Sequence, residues 1–188
     1  MALQGSGAIS IANISVELGR SSNAASSLGE SALRTLAGVA SGAISMSNFY
    51  GKANIFVFNQ TISSNTTNYN LKSAAIAAGW NQTSIMNATI TINSGVYVYS
   101  TSTGTYAFDT GSTFPAGTTL ALINNGGIIG CGGAGGQGGG AQGVNGSAGS
   151  SAGPALIARY AITVTNNGTI AGGGGGGGGG GTGYGWYA

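Results

Sequence analysis

The sequence predicts a mixed α+β chain, mainly β. A small helical N-terminal segment spans residues 1–52, a β-rich body with one short helix spans 53–125, and a glycine-rich head of polyglycine II spans 126–188. Three observations carry this. Apolar residues recur at helical spacing near the start and in one later stretch, and they alternate with period two through the middle. Glycine collects at the end: residues 126–188 hold 27 of the 39 glycines in the 188-residue chain.

In the first segment an octapeptide occurs twice, GAISIANI at 7–14 and GAISMSNF at 42–49, so that Ile9, Ile11 and Ile14 map onto Ile44, Met46 and Phe49. Between the copies, Ser27-Leu28-Gly29-Glu30 has the S-x-x-E form of a capping box. Leu28, Ala32, Leu33, Leu36 and Val39 follow at helical spacing, and Gly38 or Gly42 ends the helix. A shorter helical turn is expected over 14–18, before Gly19. About 50 residues bury too little surface to fold alone, so this segment either docks on something or remains a mobile arm.

The body begins with period-two alternation over 54–63, a strand with both faces partly buried. Residues 70–79 (NLKSAAIAAG) predict an alanine-rich helix with Leu71, Ala74, Ala75 and Ala78 on one face and Gly79 as its stop. Strands at 87–93 and 95–100, joined through Asn-Ser-Gly, predict a β-hairpin. After a turn at Phe114-Pro115-Ala116-Gly117, a further strand is expected over 118–123.

A second repeat leads into the glycines. Asn124-Asn125-Gly126 returns as Asn166-Asn167-Gly168, an offset of 42, and Leu120 and Leu122 before it match Ile162 and Val164. Self-similarity at such a period suggests stacked supersecondary units. Each copy enters a glycine tract, 126–153 or 172–181. Glycine loses the most entropy on ordering and buries no side chain, so a flexible linker is the ordinary fate of such sequence. Entry into both tracts through the same strand and turn argues against a linker. The regular state open to the tracts is polyglycine II, extended rods that hydrogen-bond sideways. Two tracts are few for a lattice, so copies of the chain, three under cyclic symmetry, are expected to complete it. The absence of a Gly-x-y period and the presence of only two prolines, Pro115 and Pro154, exclude collagen. No Gly-Lys-Ser/Thr ending or acidic ribose ligand supports a nucleotide loop.

Composition closes off other classes. There are five basic and three acidic side chains and no histidine, so a catalytic triad, acid/base pair or metal site has almost nothing to draw on. No enzyme activity, cofactor or metal is expected. A net charge of +2 gives no basic stripe for nucleic acid. No stretch of 18 apolar residues spans a bilayer, and residues 1–10 lack the pattern of a secretory signal. Cys131 is alone, so no internal disulfide is expected and it reads as a small buried residue. The Asn-x-Ser/Thr triplets, as at Asn87 and Asn167, are chance products of composition. Tyr184, Trp186 and Tyr187 close the sequence either as contact residues or as a cap folded onto the sheet.

The opening GSGAIS...ELG with GAISMSNFYGKA resembles the N-terminal segment of many bacteriophage tail and virion proteins. NYNLKSAAIAAGW, TITINSGVYVYSTSTG, FPAGTTLALINNGGIIGCGGAGGQGGG and ITVTNNGTIAGGGGGGGGG resemble glycine-rich phage tail-tip and tail-fibre adhesins, over residues 3–181. The resemblance implies a virion tail component, made in the host cytoplasm without a signal peptide. It implies a host-receptor-binding role or, alternatively, that of a structural tail or baseplate connector without receptor contact. Attachment to other tail or baseplate proteins would fall to Ile9, Ile11, Ile14, Ile44, Met46, Phe49 and Tyr50. The lattice would be Gly172, Gly173, Gly174, Gly175, Gly176, Gly177, Gly178, Gly179, Gly180 and Gly181. A bacterial surface protein or glycan would be met by Gln137, Gln142, Asn145, Tyr184, Trp186 and Tyr187, on a homotrimer. The known adhesins have more glycine tracts than the two seen here.

Overall fold

The computed structural model describes residues 2–140 and 143–183. The elements in order are α1 (Ile11–Glu17), α2 (Ser31–Ala37), a 3-10 turn (Met46–Phe49), β1 (Ile55–Ile62), β2 (Thr66–Thr67), β3 (Tyr69–Asn70) and α3 (Leu71–Ala77). They continue with β4 (Ile85–Ile92), β5 (Tyr97–Tyr99), β6 (Phe108–Asp109), β7 (Thr119–Asn124), β8 (Gly127–Ile129), β9 (Leu156–Ile157), β10 (Thr163–Asn166) and β11 (Thr169–Ala171). The chain divides into two compact units of interleaved segments: Met1–Phe58, Ala75–Ala88 and Thr113–Leu120 form one, and Asn59–Ala74, Thr89–Ser112 and Ala121–Ala188 the other.

In the first unit the octapeptide repeat is a capping device. Ser10 Oγ accepts from the Asn13 N–H at 3.2 Å while Asn13 Oδ1 accepts from the Ser10 N–H at 2.9 Å, a reciprocal box that starts α1. In the second copy Asn48 Oδ1 accepts from the Ser45 N–H at 2.8 Å and starts the 3-10 turn. The last apolar residue of each copy, Ile14 and Phe49, is fully buried beside Leu3, Leu33, Leu36 and Ala37, with Ile9, Ile11, Ile44 and Met46 packed around them. Each fully buried side chain of this size contributes about 1.5–3 kcal/mol.

Two expectations shift here. Helix α1 lies over Ile11–Glu17 instead of 14–18, because Ser10 and Asn13 cap it early. Helix α2 begins at Ser31, one turn later than the Ser27 box implies. The Glu30 carboxylate does accept from the Ser27 N–H at 2.8 Å, but it also takes Arg20 Nη1 at 2.6 Å, and Glu30 itself is extended. Ser27 to Glu30 is therefore a turn ahead of the helix. Of the two glycines expected to end α2, Gly38 does so, in the left-handed region at φ +74, and Gly42 does not.

Helix α3 forms where the alanine-rich pattern places it. Asn70 Oδ1 accepts from the Ser73 N–H at 2.9 Å, and Gly79 (φ +100) closes the end. Leu71 and Ala75 face inward, but Ala78 is exposed.

The strands build three sheets, ordered β1-β4-β7-β10, β2-β5-β8-β11 and β3-β6-β9. The chain therefore visits each sheet in turn and returns one rung higher, as a parallel coil of three faces. Registers are parallel, with Val98 on Ile128 on Ile170 in one face and Tyr69 on Phe108 on Leu156 in another. The first face follows suit, its strand ends joined by Asn93 N–H to Ile62 O and Asn125 N–H to Ile92 O. In the second unit Ile62, Ile90, Ile92, Val98, Phe108, Leu122 and Ile128 fill the interior.

The hairpin expected over 87–100 is absent: β4 and β5 lie in different sheets. A two-residue reversal needs positive φ at the first central residue (type II′) or at both (type I′), and here Ser94 does not adopt it and Gly95 does (φ +75). The chain bends to a new face, and the same alternation of apolar residues serves both faces. The 42-residue repeat is one rung: Thr163 to Asn166 stand on Ala121 to Asn124, and Thr169 to Ala171 on Gly127 to Ile129. Fully buried Asn124 donates through Nδ2 to Asn166 Oδ1 at 2.7 Å and to Thr169 O at 3.1 Å, and accepts from the Gly126 N–H at 3.2 Å. Glycine is required at the corner, since a Cβ on Gly168 would stand 2.0 Å from Gly126 O.

Candidate functional site

Where β8 and β11 end, the chain leaves the rungs and the glycine tracts begin. Beyond these strands their described residues contain no helix or strand, yet they are bonded with a period of three residues. Gly130, Gly133, Gly136 and Gly139 donate to the carbonyls of Ala171, Gly174, Gly177 and Gly180 at 2.7–2.9 Å. Gly173, Gly176, Gly179 and Thr182 donate to Gly153, Ser150, Ser147 and Val144 at 2.9–3.3 Å. Ser147, Ser150 and Gly153 donate to Gln137, Ala134 and Cys131 at 2.7–2.8 Å. Three extended runs, 130–139, 144–153 and 171–182, thus form a closed triangle in which each donates to one neighbour and accepts from the other. The outer two run the same way and the middle one runs back.

Two tracts therefore yield three runs, because the first tract folds on itself near residue 140 and returns to β9. The expectation that other copies must complete the lattice rested on counting two. The missed signal is a three-residue glycine period, Cys131-Gly-Gly-Ala134-Gly-Gly-Gln137-Gly-Gly, followed by glycines at 143, 146 and 149. The sequence reading found no such period.

Steric contacts explain it. A Cβ on Gly133 would lie 2.1 Å from Ser150 O, on Gly136 1.9 Å from Ser147 O, on Gly176 1.9 Å from Ala134 O and on Gly179 1.9 Å from Gln137 O, distances no real side chain tolerates. One residue in three faces the axis and must be glycine, while Cys131, Ala134 and Gln137 turn outward. Cys131 is partly buried and free of any disulfide. Two serines of the middle run add a second bond each: Ser147 Oγ accepts from the Gln137 N–H at 2.8 Å and Ser150 Oγ from the Ala134 N–H at 2.7 Å.

The described parts of the runs reach one common level. Gly139 bonds Gly180, Thr182 bonds Val144, and exposed Gln137, Val144 and Asn145 cluster at this far end. Of the residues expected to make contacts, Gln137 and Asn145 are brought together here; Gln142, Tyr184, Trp186 and Tyr187 lie outside the described residues. The end is uncharged. The head's one charge, Arg159, is far along the sequence from it and is paired, its Nε 3.1 Å from both Asp109 oxygens and its guanidinium over the Tyr106 ring at 5.5 Å. These three line an open cleft of about 280 Å³ with Asn68 and Asn70.

The residues expected to attach the chain divide in two. Ile14 and Phe49 are fully buried and hold the first unit together, with Ile11, Ile44 and Met46 packed against that core. Ile9 lines an open groove of about 340 Å³ beside Leu3, Asn13 and exposed Val16, and Tyr50 is partly exposed, its hydroxyl donating to Gly7 O. The Glu30 carboxyl is held below its usual range by the Arg20 hydrogen bond and by the Ser27 N–H. Among the described residues no three His, Cys, Asp or Glu side chains gather as metal ligands, and no helix is long and apolar enough to cross a membrane.

The family model described as phage tail fibre adhesin Gp38 matches residues 57–187, which take in the rungs and all three glycine runs. No curated protein and no solved structure matches the chain.

Proposed function

The chain belongs to the phage tail fibre adhesin Gp38 family, and from that premise we propose that it meets the host through the far end of its three-run glycine bundle. As a tail-fibre adhesin it is a host-receptor-binding structural protein and not an enzyme. One observation carries the finer reading: the three runs reach one level, where Gly139 bonds Gly180 and Thr182 bonds Val144, with Gln137, Val144 and Asn145 exposed around them.

The runs are polyglycine II rods. Supporting this are the extended backbone without strand pairing and the bonds at every third residue, the period of a helix with three residues per turn. Such rods are a stiff stalk whose stability rests on backbone bonds. Their tip is therefore free to vary, and residues 184–188 with Gln142 extend the contact set. Residues 1–52 attach the chain to another tail or baseplate protein, with Ile9 and Tyr50 the accessible members of that set. Residues 53–125 form the body and 126–188 the distal head. The protein works in the virion tail, and its target is a surface protein or glycan. A homotrimer was expected in order to complete a lattice of two tracts. With three runs in each chain that reason lapses, and only association between copies is carried forward.

Adsorption of assembled particles tests the reading. Replacing Gln137, Asn145, Tyr184, Trp186 and Tyr187 together by Ala should abolish adsorption while assembly stays normal. Because the tip is uncharged, wild-type adsorption should change little between low and high salt. Unchanged adsorption by the variant would mean that another protein reads the host and that this chain is a connector.

A further inference from the structure

We propose that Asn145 is a site of spontaneous covalent modification, where attack by the Gly146 backbone nitrogen converts its amide to aspartate and isoaspartate. Asparagine is among the chemically labile residues. It is most so before glycine, where no Cβ shields the attacking nitrogen. The sequence holds three Asn-Gly pairs, Asn125-Gly126, Asn145-Gly146 and Asn167-Gly168. Composition makes them alike, and the fold makes them different.

Ring closure needs a carboxamide free to turn back, a following N–H that is not engaged, and a backbone between them that can rotate. Asn125 has none of these. Its Oδ1 accepts from Asn167 Nδ2 at 2.9 Å, and the Gly126 N–H donates to Asn124 Oδ1 at 3.2 Å. The pair is clamped on both sides, by Asn125 N–H to Ile92 O and Gly127 N–H to Val96 O, each at 2.9 Å. Asn167 shares the amide bond and is clamped likewise, by Asn167 N–H to Asn124 O at 2.8 Å and Thr169 N–H to Gly126 O at 2.9 Å. It is exposed, however, and the Gly168 N–H meets no acceptor among the described residues. Asn145 is exposed too, and among the described residues neither its carboxamide, nor its own N–H, nor the Gly146 N–H is hydrogen-bonded. Before it stands the bond from Thr182 N–H to Val144 O, at 3.3 Å the longest that joins the runs. Only the Ser147 N–H, bonded to Gln137 O at 2.8 Å, holds the pair from the other side. The order of reactivity is therefore Asn145, then Asn167, then Asn125.

The step balances with water alone. The Gly146 nitrogen loses its proton to solvent base and bonds to Asn145 Cγ, while the Cγ–Nδ2 bond breaks and that nitrogen leaves as ammonia, taking up a proton. The cyclic imide then adds water at either carbonyl, giving aspartate from one and isoaspartate from the other, with nothing oxidised or reduced. Either product sets a negative charge on an otherwise uncharged end. Isoaspartate also inserts a methylene into the backbone before Gly146, where an added Cβ would already stand 2.2 Å from Gly179 O, so the axial packing there must yield. Because Asn145 belongs to the proposed contact set, conversion should reduce adsorption, and that consequence alone rests on the functional reading.

Purified full-length protein is held at mildly alkaline pH, folded or in denaturant, then cut by an acid-active protease and read by tandem mass spectrometry. In the folded protein Asn145 should convert at least about tenfold faster than Asn125, with Asn167 between them. In denaturant, where every pair is free, the three rates should draw together to within about threefold. Conversion at Asn125 or Asn167 as fast as at Asn145 in the folded protein overturns the proposal. So does an unconverted Asn145, or a ranking that persists in denaturant and so owes nothing to the fold. Particles aged in the same way should lose adsorption in step with conversion, and particles carrying Asn145→Gln, each read against its own fresh sample, should lose less. Conversion at Asn145 with adsorption unchanged upholds the site and counts against the contact reading alone.

Discussion

The first unit and the glycine head solve the same problem with opposite materials. In the first unit a few large side chains, Phe49 and Ile14 foremost, are taken wholly out of water, and the backbone between them is ordinary capped helix and turn. In the head almost nothing is buried but backbone, and every third N–H finds a carbonyl on a neighbouring run. Stability in the one comes from what side chains add, and in the other from what their absence permits. The comparison teaches that tolerance to substitution should invert: enlarging a residue is harmless on the surface of the first unit and ruinous on the axis of the head, whereas truncation ruins the first and barely touches the second.

Phe49→Ala should show the largest effect. Removing a fully buried ring leaves a cavity that a small core cannot close, and a loss of about 3–5 kcal/mol is expected by chemical denaturation. A loss below about 1 kcal/mol would mean the N-terminal core is not what holds that unit.

The head gives a matched pair. Gly176→Ala puts a Cβ against Ala134 O and should cost about 1–3 kcal/mol, whereas Gly175→Ala, one residue away in open space, should leave the monomer's stability unchanged or raise it by up to about 1 kcal/mol. Equal effects at the two positions, measured by thermal melting, would refute the three-residue packing.

Alkaline pH sharpens the contrast within the second unit, where one side chain rules. Burial pushes the Tyr69 hydroxyl well above its ordinary value of 10.0, while it donates to Gln60 Oε1 at 2.7 Å. A raised folded value means that the unfolded chain ionises first. Stability is therefore intact below pH 10.0 and falls above it, by up to about 1.4 kcal/mol per unit, until the folded group titrates. Denaturant midpoints across pH 9–12 should show this fall in wild type and lose it in Tyr69→Phe.

The smallest change is expected from Ser147→Ala. It removes one accepted bond, from the Gln137 N–H, at a solvent-exposed site while leaving the backbone bonds in place. A cost of about 0.5–1 kcal/mol is expected, seen as faster amide exchange at Gln137.

Much of this was legible along the chain because it depends on near neighbours. The 42-residue offset foretold rung on rung, since strands that stack in register must repeat their inward residues. The stop of α3 at Gly79 and of α2 at Gly38 followed from backbone freedom alone. The octapeptide repeat was visible too, though its meaning as two Ser-x-x-Asn boxes was missed because Asn was not weighed beside Glu and Gln as the returning cap.

Other features were not local. Alternating apolar residues on either side of Asn93-Ser94-Gly95 suit a hairpin as well as a corner, and the choice was made by one positive φ and by the rungs above and below. Ile14 and Phe49 read as a sticky surface when seen as a repeat, and only their packing against Leu33 and Leu36 turns them into a core.

The sequence by itself determined the glycine-rich and charge-poor composition, the repeating rung and the demand for glycine, because composition and period are properties of the chain alone. The tertiary structure decided that the first tract folds back, that three runs close within one chain, and that Gln137 and Asn145 come to one end. Those outcomes turn on which backbone approaches which within about 2 Å of a missing side chain, a distance set by partners 10 to 50 residues away that no local pattern records.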